Sequence, residues 1–496
     1  MQVHWVVNIV LLLYWVMISY VTIYCVTQVY LLYHYCRHHR HPANFPGPKQ
    51  ISSLPSVTVQ LPLYNEKYVA GRLIDSVCAI EYPRALLEIQ ILDDSTDETT
   101  EVIRQKVEDY SRAGVRILVI KRAERSGYKA GALAHGLRTA TGEFIAIFDA
   151  DFVPRKDFLM RTLPCFEDPL IGVVQTRWEH LNERHSILTR LQAFQLNVHF
   201  TVEQTGRAAA AIPLQFNGTA GVWRKEAILS SGGWQSDTLT EDLDLSYRAQ
   251  LKGWRIRYLE EVSSPAELPA WMPGIRSQQY RWMKGGAETA RKMLPRVWAS
   301  SMELFPKIMA THHLLSSTIF IGVLSISLLS LPLLWYAPAL GLDLRIFSFG
   351  LSGLIVLWLV YYAGNAKSSW AGSSILLNLG RSVLYLPVFL AMSMGLALHN
   401  SIAVLEGFSG RKTAFVRTPK SGQMTAGDPA SRSAYQRAGI PRVVIFEGIL
   451  SICFLAAVIQ GVRSGVEGFL IFHLMLMSGY GALCLYSIKH ARLSHL

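Results

Sequence analysis

The stretch EFIAIFDAD, residues 143–151, is the most informative part of this sequence for predicting its fold class. Five apolar residues, Phe144–Phe148, predict a buried strand, and the strand ends in Asp149 and Asp151. Because side chains alternate along a strand, these two carboxylates face the same side. An uncompensated pair of this kind is repulsive, and a hard divalent cation relieves the repulsion and can also hold a diphosphate. A D-x-D sequence is by itself a weak motif, so the neighbouring sequence must show whether the two aspartates form a binding site.

Four further apolar runs surround this strand at the spacing of βα units. They are followed by helix-like segments, which favours a mostly parallel sheet. The chain thus predicts an α/β domain over residues 56–296, with strands in VTVQLPLY (57–64), EIQILDDS (88–95), VRILVIKR (115–122) and IGVVQTRW (171–178).

Two acidic motifs lie where strands end or helices begin. Asp93 and Asp94 follow the second strand, at the edge where open α/β sheets bind ligands. Capping of the next helix by Ser95, Thr96 or Asp97 is the alternative explanation. Thr240-Glu241-Asp242 also starts a helix-like run, and Thr240 is expected to cap it. A carboxylate here, Asp242, is a candidate general base for a sugar hydroxyl.

The composition predicts a membrane protein with a soluble part. Half of the 496 residues are hydrophobic, only 17% are charged, and the formal net charge is +12. Basic loops beside membrane spans account for this charge better than nucleic-acid binding does, since the basic residues cluster next to apolar segments. The six cysteines show no C-x-x-C spacing, which excludes a cysteine zinc site or a disulfide framework.

Long uncharged segments divide the chain. The positive-inside rule places the N-terminus outside and the stretch CRHHRHP in the cytoplasm, since the charges follow the first apolar run. The predicted order is a transmembrane helix (1–36), a linker (37–55), the cytosolic α/β domain (56–296), an interfacial segment (297–310), two transmembrane helices (311–366), an interfacial or re-entrant helix (374–408), a cytosolic loop (409–441), two transmembrane helices (442–488) and a cytosolic tail (489–496).

Ser382–Leu405 could instead be a true span. It is uncharged and long enough, but a proline, a glycine, a histidine and an asparagine interrupt it. If this segment is an interfacial helix, the loop after it stays in the cytoplasm. The two spans within 311–366 already return the chain to the side of the α/β domain. Glu447, within the next apolar segment, is costly in lipid unless it faces protein or a polar channel.

Seven motifs in order give the chain a family resemblance: LPLYNE, LDDS, YKAG, DAD, NGTAG, TED and QQYRW. Their order and spacing resemble the processive family 2 glycosyltransferases, namely the cellulose synthases and the cellulose synthase-like mannan and glucan synthases. The likeness is dense over Val57–Lys292 and looser as far as Lys420. It implies a GT-A fold with a cytosolic nucleotide-sugar site, a Mg²⁺ or Mn²⁺ cofactor, and UDP-glucose or GDP-mannose as the donor.

The resemblance also assigns roles to residues of this sequence. It implies that Tyr64 stacks on the base, with Asn65 and Glu66 nearby. Asp94, together with Asp93, would bind the uridine or guanosine portion, and Lys129 would approach the nucleotide. Asp149 and Asp151 would hold metal and diphosphate, and Asp242, beside Glu241, would be the catalytic base.

Two further stretches take their roles from the same family. IRSQQYRWMKGG (275–286) holds a Q-x-x-R-W motif, in which Gln278, Arg281 and Trp282 would meet the acceptor and the diphosphate. A membrane-surface helix anchored by Trp and Arg is the alternative. FVRTPK (415–420) resembles a gating loop, with Phe415, Thr418 and Lys420 in the matching places and an arginine where the family has valine.

The function expected from the sequence is that of a membrane-embedded inverting glycosyltransferase. It would transfer glucose or mannose to a growing β-linked polysaccharide acceptor, with or without export. A non-processive enzyme acting on a membrane lipid is the alternative. The catalytic domain is expected in the cytosol of a multi-pass protein in a plasma or inner membrane, or in the Golgi of a eukaryotic cell. The donor sugar and base, the linkage, the processivity and the partner subunits are left open.

Overall fold

The computed structural model describes residues 2–40, 53–336, 341, 352–366, 368, 374–413, 416, 420, 422 and 439–493. Seventeen α-helices lie within these ranges: α1 Gln2–Arg40, α2 Ala70–Cys78, α3 Thr99–Arg112, α4 Tyr128–Leu137, α5 Phe158–Thr162, α6 Ile187–Val198, α7 Gln204–Ala209, α8 Lys225–Ser230, α9 Glu241–Leu251, α10 Met272–Ala299, α11 Leu304–Leu314, α12 Ile319–Tyr336, α13 Ser352–Asn365, α14 Ile375–Gly395, α15 Ala397–Ser409, α16 Val443–Ser464 and α17 Leu470–Leu493.

A seven-stranded sheet forms the centre of the soluble part, in the order β3-β2-β1-β4-β6-β5-β7. Strands β1 to β4 are parallel neighbours, β7 is parallel to β5, and β6 runs antiparallel between β4 and β5. The strands are β1 Val57–Leu63, β2 Leu87–Asp93, β3 Ile117–Ile120, β4 Phe144–Ile147, β5 Ile171–His180, β6 Gly221–Arg224 and β7 Arg255–Ala266. The mostly parallel α/β fold predicted from the sequence is confirmed.

The sheet is covered on both faces. All seven residues of β2 are buried, as expected for a parallel strand with helices on either side. Apolar side chains of β1, β2 and β4 pack with α2 in one cluster, and apolar side chains of β2, β4, β5 and β6 on the opposite face pack with α4 and α9 in another. This core fixes the carboxyl ends of β1, β2 and β4 side by side, where the acidic motifs follow.

Five helices are long and apolar enough to cross a membrane within the described ranges: Trp5–Arg40, Ser316–Tyr336, Ile375–Gly395, Val443–Ser464 and Glu467–Ala491. The segment predicted as a single interfacial helix over 374–408 is two helices, α14 and α15, which meet at Leu396. By length, α14 is one of the five candidates, whereas Gly353–Asn365 is a shorter apolar helix. The assignment of each loop to one side of the membrane stays a prediction.

The long helix α10 connects the soluble domain to the apolar helices. Its N-terminal half contacts α17, and its middle lies against α15. It continues past residue 296, the predicted end of the soluble domain, as far as Ala299. The Q-x-x-R-W motif therefore lies on a helix that contacts both parts of the protein.

Candidate active site

One cavity opens at the carboxyl edge of the sheet and collects most of the predicted site residues. Its lining includes Tyr64, Glu66, Asp94, Lys129, Asp149, Asp151, Glu241, Asp242, Gln278, Arg281, Trp282 and Lys420. These side chains come from six separate motifs and from a lysine about 140 residues further along the chain. The fold therefore brings the motifs together, as their order in the sequence predicted.

Asn65 and Asp93 are not among the lining residues. Asn65 lies in the left-handed region at φ 55°, and its Oδ1 accepts a hydrogen bond from the Thr96 amide at 2.8 Å. Asp93 is buried, and its carboxylate accepts from the Ser95 amide at 2.9 Å and from the Thr100 hydroxyl at 3.2 Å. Both residues therefore hold together the loops that follow β1 and β2, and their donor-binding role stays a prediction.

Asp94 points into the cavity but is already paired. Arg122 meets its carboxylate with two donors, Nε at 3.0 Å and Nη2, in the fork geometry typical of arginine. Arg122 also donates to the carbonyl oxygens of Ser126 and Tyr128, at 2.7 and 3.0 Å. The Asp94–Arg122 pair thus shapes the loop before α4.

Arg125 lies over the ring of Tyr64, with 3.4 Å between its guanidinium carbon and the ring centroid. A guanidinium at this distance stacks on the aromatic face. Arg125 belongs to none of the seven motifs, although its place in the basic stretch before Lys129 was a signal for it. It covers the ring face to which the family resemblance assigns the nucleobase.

Lys129 and Asp149 form the centre of the cavity. The ammonium of Lys129 lies 2.5 Å from Asp149 Oδ1 and donates to the Gly218 carbonyl at 2.9 Å. Burial alone would lower the pKa of Lys129, but the nearby carboxylates outweigh it and hold that pKa above its ordinary value. The lysine is therefore a fixed positive charge beside the end of β4.

Asp151 is buried and pairs with a second lysine. Lys420 Nζ donates to Asp151 Oδ2 at 2.6 Å and to the Glu267 carbonyl at 3.4 Å. The other two predicted residues of the gating loop, Phe415 and Thr418, lie outside the described residues. Asp149 and Asp151 supply oxygen ligands of the kind that Mg²⁺ and Mn²⁺ prefer.

The described residues contain no group of three or more His, Cys, Asp or Glu side chains suited to hold a metal by themselves. A Mg²⁺ ion commonly binds through one or two carboxylates together with substrate phosphates, and the carboxylate pair fits that mode. The metal site is therefore expected to be complete only with a diphosphate present.

Asp242 lies at the start of α9, in the first turn. Burial, together with the neighbouring Glu241 carboxylate, raises the pKa of Asp242 to about 7. Its Oδ2 atom lies 3.0 Å from the position that a Cβ on Gly218 would take, so a side chain at 218 would press against it. A carboxylate with this pKa can both accept and release a proton near neutral pH.

Thr240 does not cap α9 with its side chain, contrary to the prediction. Its hydroxyl lies 3.0 Å from that of Thr289 on α10, and Gly285 packs closely against it. The preceding amide, that of Leu239, donates to the Glu288 carboxylate at 2.8 Å. The tertiary contact with α10 therefore displaces the local cap and fixes the T-E-D motif to the Q-x-x-R-W helix.

Arg281 faces the acidic centre of the cavity. Burial lowers the pKa of its guanidinium, while Glu241, Asp149, Asp242 and Asp151 lie close enough to offset that effect in part. Trp282 lines the cavity and packs beside Leu196 and Tyr258. The guanidinium thus sits where a departing diphosphate would need a counter-charge.

His180, Trp178 and Glu267 also line the cavity, although no motif pointed to them. Burial lowers the pKa of His180 to about 4, so this imidazole is neutral near pH 7. His199 bridges the Glu203 carboxylate at 2.8 Å and Asn217 Oδ1 at 3.0 Å.

Comparison with known proteins agrees with this geometry. Residues 55–285 match the family model "Glycosyltransferase like family 2", so this region is a family 2 glycosyltransferase domain. The chain is 43% identical over 251 residues to glucomannan 4-beta-mannosyltransferase 7 of Arabidopsis thaliana. The aligned region covers 50% of this chain and 45% of that protein. For glucomannan 4-beta-mannosyltransferase 1 of Oryza sativa subsp. japonica the identity is 43% over 251 residues, 50% of this chain and 48% of that one.

The chain spans about half the length of the curated relatives it matches. Among solved structures, the mannosyltransferase PcManGT from Pyrobaculum calidifontis, in complex with GDP-Man and Mn²⁺, superposes with a TM-score of 0.53 at 20% identity. The superposition covers 80% of this chain and 99% of that one. It shows that the two share the GT-A fold.

Proposed function

We propose that the chain is a membrane-embedded inverting glycosyltransferase that adds hexose from a nucleotide sugar to a growing β-linked polysaccharide. The single observation that carries the proposal is the cavity itself. It unites the D-x-D carboxylates, the T-E-D carboxylate and the Q-x-x-R-W side chains at the ligand-binding edge of a family 2 domain.

The reaction assigned to the cavity needs one base and no nucleophile on the protein. Asp242 takes the proton of the acceptor hydroxyl, whose oxygen forms a bond to the anomeric carbon of the donor sugar. The bond from that carbon to the diphosphate oxygen breaks, and the nucleoside diphosphate leaves. Attack from the face opposite the leaving group inverts the anomeric centre, so an α-linked donor yields a β-linked product.

Positive side chains balance the charge that develops on the diphosphate. Lys129 and Arg281 both border the cavity beside Asp149, and their charges offset that of the leaving group. A divalent cation held by Asp149 and Asp151 would add Lewis-acid stabilisation of the same oxygens when bound.

We propose GDP-mannose as the donor ahead of UDP-glucose. The curated relatives at 41–43% identity are named as glucomannan mannosyltransferases, and the solved neighbour of the same fold contains GDP-Man and Mn²⁺. The test is release of the nucleoside diphosphate by purified protein, with each donor and with Mg²⁺ or Mn²⁺. Faster release from UDP-glucose than from GDP-mannose would overturn the choice of donor without affecting the reaction class.

Product size separates the polymerase from a transferase that modifies a membrane lipid. A ladder of oligomers supports the polymerase, and a single sugar on each lipid would refute it. Trp282→Ala is expected to abolish the ladder while donor binding persists, because the indole face is assigned to the acceptor sugar. Full-length polymer from this variant would make the Q-x-x-R-W stretch a membrane-surface anchor.

A further inference from the structure

Helix α10 has a second face that the proposed reaction does not use. Gln278, Arg281 and Trp282 line the cavity, whereas Ser277, Tyr280 and Lys284 are spaced so as to share another side of the helix. This second side contacts residues 406–413, the last turn of α15 and the chain just after it, which we term the strap.

Lys284 makes the central contact with the strap. Its side chain is fully buried, and its ammonium donates to the Arg411 carbonyl and to the Thr413 hydroxyl, both at 2.6 Å. Glu288 lies further away, at 3.9 Å. Because a buried ammonium is costly without acceptors, removal of these two would leave a strongly unfavourable charge. The lysine therefore fastens the chain directly beyond the end of α15.

Neighbouring contacts hold the same segment. The Tyr280 hydroxyl donates to the Glu406 carboxylate, which also accepts from Arg411 Nη1 at 3.1 Å. Gly407 lies so close to α10 that a Cβ atom on it would stand 2.6 Å from the Lys284 carbonyl oxygen. The strap and α10 thus touch backbone to backbone, with the lysine ammonium at the strap's far end.

The chain beyond the strap returns to the active site. Ser277 on α10 donates to the Val416 carbonyl at 3.2 Å, and four residues later Lys420 reaches Asp151 at 2.6 Å. Helix α10 therefore carries the acceptor side of the cavity on one face and fixes, on the other, the segment that leads to the diphosphate side.

We propose that Lys284 is a positioning residue for the nucleotide-sugar site. Its buried ammonium fastens the strap to the Q-x-x-R-W helix, and this fastening delivers Lys420 to the Asp151 end of the cavity. The proposal deepens the proposed function and rests on it for its kinetic consequence alone. The fastening itself is a structural statement that can be tested without turnover.

The test compares wild type with Lys284→Met, which keeps the length of the side chain and removes its charge. Amide hydrogen exchange of residues 410–413 is expected to accelerate at least about tenfold, since two charge-assisted hydrogen bonds are lost. Exchange in α16 and α17 should not change. The KM for GDP-mannose should rise about tenfold, with a smaller effect on kcat, because Lys420 contacts Asp151, the residue assigned to the metal and the donor diphosphate.

Two further variants separate fastening from general destabilisation. Thr413→Val removes one of the two acceptors, so it should give a smaller effect of the same kind and add little to Lys284→Met. Lys284→Arg, which retains a cation, should restore part of the donor affinity. Lys307→Met removes a partly buried lysine that donates to the Trp298 carbonyl, away from the strap, and should match wild type.

Unchanged exchange of residues 410–413 in Lys284→Met would overturn the proposal, as would acceleration spread uniformly over all helices. Locally faster exchange with an unchanged KM would also overturn it, because the strap would then not position the donor site. If wild type released no nucleotide from any donor, the proposed function would fail, and the exchange result would still decide whether Lys284 fastens the strap.

Discussion

Arg276 and Glu447 form a buried ion pair that joins the α/β domain to the apolar helices. Arg276 Nη1 and Nη2 donate to the two Glu447 carboxylate oxygens at 2.8 and 2.6 Å, and Nη2 also donates to Ser487 Oγ at 3.0 Å. The arginine side chain is 5% exposed and the carboxylate is fully buried. Glu447, expected from the sequence to need a protein partner, therefore finds one on α10.

We predict that Glu447→Ala destabilises the protein by about 3–5 kcal/mol, because it leaves the Arg276 charge buried without its partner. The measurement is the thermal unfolding midpoint of the detergent-solubilised protein. Glu467→Ala, at an exposed glutamate near the start of the last helix, is the matched control and should be nearly neutral. The double variant Arg276→Met/Glu447→Met should recover much of the loss, and a double variant no better than the single would contradict this explanation.

Titration of Asp242 should make the turnover rate fall on the acidic side of about pH 7. Burial, with the Glu241 charge, raises the pKa of Asp242 to about 7, and only the deprotonated carboxylate can act as a base. We therefore expect kcat to fall as the pH drops below about 7. Glu241→Gln removes a like charge, so this fall should move to lower pH, whatever the effect on the maximal rate. A fall that stays in place in Glu241→Gln would show that another group titrates.

The D-x-D carboxylates should make turnover dependent on a divalent cation. We expect Asp149→Ala and Asp151→Ala to abolish turnover, and EDTA to do the same to wild type until Mg²⁺ or Mn²⁺ is added. Asp168→Ala, at an aspartate 42% exposed near β5, is the control. Full activity of the wild type in EDTA would refute the metal role and leave the charge balance to Lys129, Lys420 and Arg281.

The strand pattern could be predicted because the buried strands are short segments rich in apolar residues, separated by helix-like segments. β1 to β5 were all expected, whereas β6 has only four residues and pairs antiparallel between two others. β7 carries charged residues at its start and centre, such as Arg255 and Glu260, so its sequence has no clear apolar period. Sheet membership of both strands is set by tertiary contacts.

The site residues that the sequence revealed belong to motifs, and those that it missed act through side-chain pairing. In the sequence, Arg122 and Arg125 are two basic residues among several. In the structure, Arg122 donates to the Asp94 carboxylate and Arg125 stacks on the Tyr64 ring. Thr240 looked like a helix cap, but its hydroxyl bonds to another helix instead. Lys284 lies only two residues past the Q-x-x-R-W motif. Its role could not be predicted, because its hydrogen-bond acceptors are more than 120 residues away in the sequence.

Membrane sidedness can be tested on described positions. Lys412 follows α15 and is exposed, and Arg463 lies at the exposed end of α16. In a cysteine-free background, Lys412→Cys should be labelled by an impermeant reagent from the same side as the catalytic domain, and Arg463→Cys from the opposite side. Labelling of both cysteines from one side would contradict the predicted passage of α16 across the membrane.

Asp242 is proposed as the base of an inverting hexosyl transfer. One pair of measurements tests this role. Nucleotide-sugar binding and nucleoside diphosphate release are measured on the same preparations of wild type and Asp242→Asn, with GDP-mannose, Mn²⁺ and an oligosaccharide acceptor. We expect unchanged donor affinity and a rate lower by roughly 10²–10⁴ in the variant, because a general base is lost. An Asp242→Asn protein that turns over at the wild-type rate would contradict it.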